Sequence, residues 1–309
     1  MYNHKILVTF LLIYIINCWY SGVFCYISKK GVFMLGAIIG DISGSFREFS
    51  KLGKLPELGL LPLQSELPQP AGIYRYGLTD DSLLTLATGF ACLRMQDKDG
   101  NISSDSFAAI YHSFGNHYSD PIGGFGGGFR TWLAESHKQP YNSCGNGSAM
   151  RVSPVAYVGR SLSEVRQLAF NSACATHNHP EGIKGAQATA IMIYLARTGK
   201  NIKEIADELY DMQLHYEPIE QFDHFDAICQ ETMRLVMHVL LTTDNFHDAV
   251  LKAVTIPYAD SDTVGAIVGS IAEPLYGIPD DIREKALPFI YDANLLSVFN
   301  DFTERYMTH

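Results

Sequence analysis

Positive charge is in short supply here: 23 Lys and Arg stand against 33 Asp and Glu, a formal net charge of −10 over 309 residues. Nucleic-acid binding draws its affinity from basic side chains that displace counterions, so no nucleic-acid partner is expected. Cysteine offers no framework either. The six residues, at 18, 25, 92, 144, 174 and 229, include no C-x-x-C pair. That spacing suits neither a zinc site nor a disulfide scaffold, and reduced, buried thiols in a reducing compartment are expected instead. Alternation of apolar and polar residues at period two is scarce after residue 34, which argues against sheets. No linker rich in Pro, Ser or Gly divides the chain. At 47% hydrophobic and 18% charged it is too apolar to be disordered.

Charge is missing altogether between Ile6 and Ile27, a run long enough to cross a bilayer. Three readings compete: sequence upstream of the true start, an uncleaved anchor, or a signal peptide. The last lacks a small-x-small cleavage site after the apolar stretch. For an anchor, Lys29 and Lys30 outweigh Lys5 and leave the body of the protein cytoplasmic. Met34-Leu35-Gly36-Ala37-Ile38-Ile39-Gly40-Asp41 reads as the opening of the folded domain. The expected organisation is an apolar extension over 1–33 and one domain over 34–309. A cytoplasmic location follows, with membrane contact only if 6–27 is a real anchor.

What is present is helical periodicity. Ile183, Gln187, Ala190, Ile191, Tyr194 and Leu195 mark one face of a helix that Pro180 can start and Gly199 can end. Ser161 with Glu164, and Asn201 with Glu204, have capping-box spacing. Further amphipathic stretches run over 82–95, 103–117, 225–242, 245–254, 264–273 and 281–306. The fold class read from this is all-α: a single compact domain of roughly ten helices, with long loops at about 50–78 and 118–148. Gly36, Gly40 and Gly44, and then Gly265 and Gly269, form small-residue stripes, which are packing devices.

Acidic clusters stand at the ends of these stripes and helices. Thr79-Asp80-Asp81 precedes Ser82–Ala87, and Asp260-Ser261-Asp262-Thr263 precedes Val264–Gly269. Either alone is explained by helix capping and the helix dipole. Two clusters of one grammar, each heading an almost uncharged helix, would repel strongly unless protonated or bridged by cations. Oxygen ligands of this kind suit Mg²⁺ or Mn²⁺, and they suffice for a binuclear site. Gly123–Gly128 and Cys144-Gly145-Asn146-Gly147-Ser148 are glycine-rich loops able to expose N–H groups to a phosphate. Thr176-His177-Asn178-His179-Pro180 lacks a Cys or acidic partner, so its histidines read as polar contacts rather than metal ligands.

Taken in order, Gly40-Asp41-x-x-Gly44-x-x-x-Glu48, Thr79-Asp80-Asp81, Gly145-Asn146-Gly147-x-x-Met150-Arg151, Thr176-His177-x-His179-Pro180 and Asp260-x-Asp262-Thr263 resemble the ADP-ribosylglycohydrolase family. The resemblance spans Met34 to about Asp281. It implies an all-helical fold and a hydrolase that cleaves the glycosidic bond between ADP-ribose and an acceptor. The acceptor would be a protein side chain such as arginine or serine, or a small molecule. Two Mg²⁺ or Mn²⁺ would be held by Thr79, Asp80 and Asp81 from one side and by Asp260, Asp262 and Thr263 from the other. Glu48 and Asp81 would be catalytic, without an assignment of acid and base. Gly145, Asn146, Gly147, Ser148 and Met150 would hold the diphosphate side of the ligand, and His177 would contact ADP-ribose.

Two departures from the family pattern carry expectations. Pro257-Tyr258-Ala259 replaces a glycine pair before the second cluster, and would narrow the pocket or shift Asp260. Pro274 would end the following helix early. A protein spoiled in this way would remain a non-catalytic ADP-ribose binder, the main alternative. A phosphohydrolase of the diphosphate is a third reading.

Overall fold

Helix boundaries follow the capping chemistry of the sequence. Asn201 and Glu204 form a full capping box, each side chain taking the other's backbone N–H. Ser161 likewise accepts from Glu164 N, but the Glu164 carboxylate turns to Arg160 N instead. Pro180 opens its helix behind His179, and the chain leaves it through Gly199 at φ +96°. This computed structural model describes residues 33–48, 59–62, 78–97, 100–136 and 138–306. The proposed extension up to residue 32 and most of the 50–78 loop lie outside the described residues.

Among the described residues there are fourteen α-helices and no strand. They are α1 (Leu35–Glu48), α2 (Asp80–Arg94), α3 (Ser104–His117), α4 (Gly127–Ala134), α5 (Gly147–Met150), α6 (Val155–Val158) and α7 (Leu162–Cys174). The second half holds α8 (Pro180–Arg197), α9 (Ile202–Asp211), α10 (Cys229–Leu241), α11 (Phe246–Thr255), α12 (Ser261–Tyr276), α13 (Asp280–Ala286) and α14 (Ala293–Tyr306). The all-α fold is as expected. The surplus over ten consists of short helices that periodicity cannot resolve: α4 within the 118–148 loop, the single turns α5 and α6, and the division of 281–306 at Pro288 into α13 and α14. Four thiols, Cys92, Cys144, Cys174 and Cys229, are unpaired. No described helix is long and apolar enough to cross a membrane.

Two of the helices buried around most of their circumference are α8 and α12. On α8 the whole run from Gly185 to Ile193 is buried, and on α12 that from Ser261 to Glu273, so neither is a one-faced surface helix. The expected early end of α12 is not found. Pro274 lies within the last turn and the helix continues to Tyr276, because only one backbone donor is lost there and Gly277 N closes the end on Glu273 O at 2.9 Å.

The glycine stripes determine where α1 lies. A Cβ added to Gly40 would fall 1.9 Å from Gly265 O, and one added to Gly36 would fall 2.2 Å from Gly269 O. At the far end a Cβ on Gly44 would fall 2.3 Å from Ser261 O. The two helices therefore run antiparallel with their backbones in contact. This seam brings the C-terminal end of α1, and with it Glu48, to the N-terminus of α12.

Candidate metal and ligand site

Asp41 ties two helices together. It is the one acid inside the apolar body of α1 and is wholly buried. Its Oδ1 accepts from Thr79 Oγ1 at 2.9 Å, and its Oδ2 accepts from Thr79 N at 3.3 Å and Ser82 N at 3.1 Å. The first turn of α2 is thus clamped on α1. Thr79 also caps α2 by accepting from Asp81 N at 3.1 Å.

At α12 the geometry departs from plain capping. Asp260 occupies the N-cap position, yet its side chain makes no cap bond. The donor Ser261 N is taken by Glu48 Oε2 at 2.8 Å, from the other side of the glycine seam. Asp260 Oδ2 instead accepts from Asn146 Nδ2 at 2.9 Å. The two clusters meet where Thr263 Oγ1 donates to Asp81 Oδ2 at 3.3 Å, across 182 residues of sequence. Oxygens of Glu48, Asp260 and Asp262 lie within 4.8 Å of one another.

The electrostatics of this convergence are unfavourable without a counter-charge. Burial, then the charges of Asp260 and Asp41, push Asp80 up to about 7. Burial pushes Asp41 up to about 6. Asp81 and Asp262 are raised well above the usual carboxylate range, first by burial and then by neighbouring carboxylates. Asp81 Oδ1 is buried with no hydrogen-bond partner. An oxygen-only donor set, crowded carboxylates and an orphaned carboxylate oxygen fit a divalent hard cation.

A cavity of about 410 Å³ opens over these acids. Asp80, Asp81, Asp260, Asp262 and Thr263 form one wall, and the two glycine loops form the others. Gly123 and Gly124 both have φ +74°, a region costly for residues with a Cβ. Of the residues proposed for the ligand, Gly145, Asn146, Gly147, Met150 and His177 line the cavity. Ser148 lies behind it, fully buried, with its hydroxyl donating to Gly182 O at 2.7 Å. Thr79 also lies behind the wall, engaged with Asp41.

The histidines are polar contacts: His177 Nδ1 lies 2.7 Å from Thr176 Oγ1, and His179 accepts from Glu181 N at the start of α8. Asp260 is in place despite Pro257-Tyr258-Ala259, because Tyr258 takes up the turn at φ +59° and points outward, 57% exposed and off the cavity wall. Four contributors had no role in the sequence reading: Asp41 as the clamp, Arg151 on the cavity wall, and the rings of Tyr141 and Phe225. Asp41 left a signal as an acid inside an apolar helix, and Arg151 as the last residue of the Gly145-Asn146-Gly147-x-x-Met150-Arg151 motif, whereas the two rings left none.

The pattern of the ADP-ribosylglycohydrolase family matches residues 31–306. The chain belongs to this family. It is 26% identical over 271 residues to the ADP-ribosyl-(dinitrogen reductase) glycohydrolase of Rhodospirillum rubrum, covering 80% of this chain and 85% of that protein. It is 29% identical over 214 residues to ADP-ribosylhydrolase ARH3 of Gallus gallus, covering 62% of this chain and 55% of that one. A solved structure of an ADP-ribosylglycohydrolase-related protein complex shares the fold, with TM-score 0.62 at 20% identity over 88% of this chain and 95% of that chain. An acidic cluster able to hold a metal thus sits in a member of the ADP-ribosylglycohydrolase family.

Proposed function

We propose that this protein hydrolyses the glycosidic bond between ADP-ribose and an acceptor, with two divalent cations, Mg²⁺ or Mn²⁺, at the acidic wall. The acceptor is a protein side chain such as arginine or serine, or a small molecule. The observation that carries the proposal is the meeting of the two acidic clusters beside glycine loops on one cavity. Family membership and the names of the relatives point the same way.

Thr79, Asp80, Asp81, Asp260, Asp262 and Thr263 would hold the cations, which when bound supply Lewis acidity and fix ribose hydroxyls. Bond cleavage builds oxocarbenium character at C1″. A water oxygen bonds to C1″, the bond from C1″ to the acceptor breaks, and a proton passes to the acceptor atom. Glu48 and Asp81 would carry these proton transfers. Glu48 Oε2 is oriented by the N–H of Ser261. Asn146 holds Asp260 in place, and the glycine loops offer N–H groups to the diphosphate.

The test is product analysis on arginine- and serine-linked ADP-ribosyl peptides, with and without Mg²⁺ or Mn²⁺. Release of ADP-ribose with at least one linkage is expected, lost on chelation and restored by metal. Release of AMP would identify a phosphohydrolase. Binding of ADP-ribose without any turnover would leave a binding protein.

A further inference from the structure

Hydrogen-bond counting fixes the proton on His177. Arg151 is fully buried, with its guanidinium carbon 4.1 Å from the centre of the Tyr111 ring. Tyr111 is held by Ser172 Oγ at 2.7 Å and Thr88 Oγ1 at 2.9 Å. Arg151 Nη2 donates to Ser172 O at 3.2 Å and to Thr176 Oγ1 at 2.7 Å. A guanidinium has only donors, so Thr176 Oγ1 accepts. Thr176 is wholly buried, and among the described residues its hydroxyl proton has one acceptor in reach, His177 Nδ1 at 2.7 Å. Nδ1 is therefore an acceptor, and the neutral ring carries its proton on Nε2. The ring is neutral because burial, and then the Arg151 charge, hold it well below the ordinary histidine range. Nε2 faces the glycine loop: a Cβ on Gly147 would lie 3.0 Å from it and one on Gly145 3.9 Å.

We propose that Arg151 and Thr176 are positioning residues that lock His177 as its Nε2–H tautomer, presenting an uncharged donor to an anionic phosphoryl oxygen in the cavity. The ligand part of this proposal rests on the reading that the cavity takes ADP-ribose. The opposite tautomer would aim a lone pair at the same oxygen and repel it. Packing alone does not require Arg151 for this. It makes no hydrogen bond to a carboxylate, and its two Nη2 protons go to Ser172 O and to the relay.

The experiment uses the full chain with histidine-selective ¹⁵N labelling. Long-range proton–nitrogen correlation separates the two tautomers, and calorimetry with ADP-ribose gives affinity. The wild type is expected to show His177 with its proton on Nε2. Thr176→Val should lose the single tautomer and weaken ADP-ribose binding about tenfold, equivalent to about 1.4 kcal/mol. Thr176→Ser, which keeps the hydroxyl, should restore both. A wild-type ring protonated on Nδ1 would overturn the proposal, as would a Thr176→Val protein with unchanged tautomer and affinity. Failure of the wild type to bind ADP-ribose would overturn the ligand reading of the cavity instead, while the spectrum decides the tautomer by itself.

Discussion

The α1–α12 seam buries a carboxylate at each end, and the two ends differ in what they require. Beside Gly36 stands Glu273 by itself. Its Oε2 accepts from Gly36 N at 3.0 Å, its Oε1 has no partner, and burial pushes it up to about 8. One buried acid of this kind becomes neutral by keeping its proton. At the Gly44 end, Asp80, Asp81, Asp260, Asp262 and Glu48 share one space beside an open cavity. Protonating one of them leaves the others repelling, so cations are the natural counter-charge. The same packing device therefore supports a neutral structural acid at one end and a candidate metal site at the other.

The largest effect should come from the crowded end. Asp262→Asn and Asp80→Asn should each lower turnover on the order of 10³-fold while the fold persists, and the double variant should be no slower than either single one. Steady-state kinetics and metal titration of the set check this. Near-normal rate and metal affinity in either single variant would return the clusters to separate helix ends.

The seam itself comes next. Gly40→Ala places a Cβ 1.9 Å from a backbone oxygen that cannot rotate away. It should cost about 3 kcal/mol in denaturant unfolding, at the upper end for overpacking. Gly126→Ala, where a Cβ meets nothing within 4 Å, is the control and should stay within about 0.5 kcal/mol.

At the quiet end the effect is smaller and depends on pH. Between its ordinary value of 4.5 and about 8, Glu273 holds a proton in the folded protein that the unfolded chain releases. Stability should therefore fall as pH rises through that window and level off above it. Glu273→Gln removes this loss. Its advantage in Tm over wild type should be absent near pH 4 and grow to several degrees by pH 8 to 9. Parallel pH curves for the two proteins would show that Glu273 is ionised in the fold. The smallest change is Tyr258→Gly. Relief of the φ +59° backbone slightly outweighs the added freedom of the unfolded chain, giving a gain of about 0.5 kcal/mol by thermal melting.

Much of the molecule was legible in one dimension because it rests on local rules. Periodicity gave the helical class, capping residues gave many boundaries, and the spacing of Thr79–Asp81 and Asp260–Thr263 marked acids that the fold brings together. The fate of individual side chains was less legible. Ser148 sits in a glycine loop suited to phosphate, yet its hydroxyl is spent on Gly182 O. Pro274 breaks helices in general, but here it falls where one lost donor costs the helix little.

The sequence by itself determined that this chain forms helices, that glycine stripes let two of them touch, and that acids stand at helix starts, since each follows from neighbours within a turn or two. Only the tertiary structure decided that Glu48 rather than Asp260 takes the Ser261 N–H, that Asp41 clamps α2, and that Arg151 sets the proton of His177 through Thr176. Those outcomes depend on which donors and acceptors come within hydrogen-bond reach after the seam has closed, and chain order holds no measure of that distance.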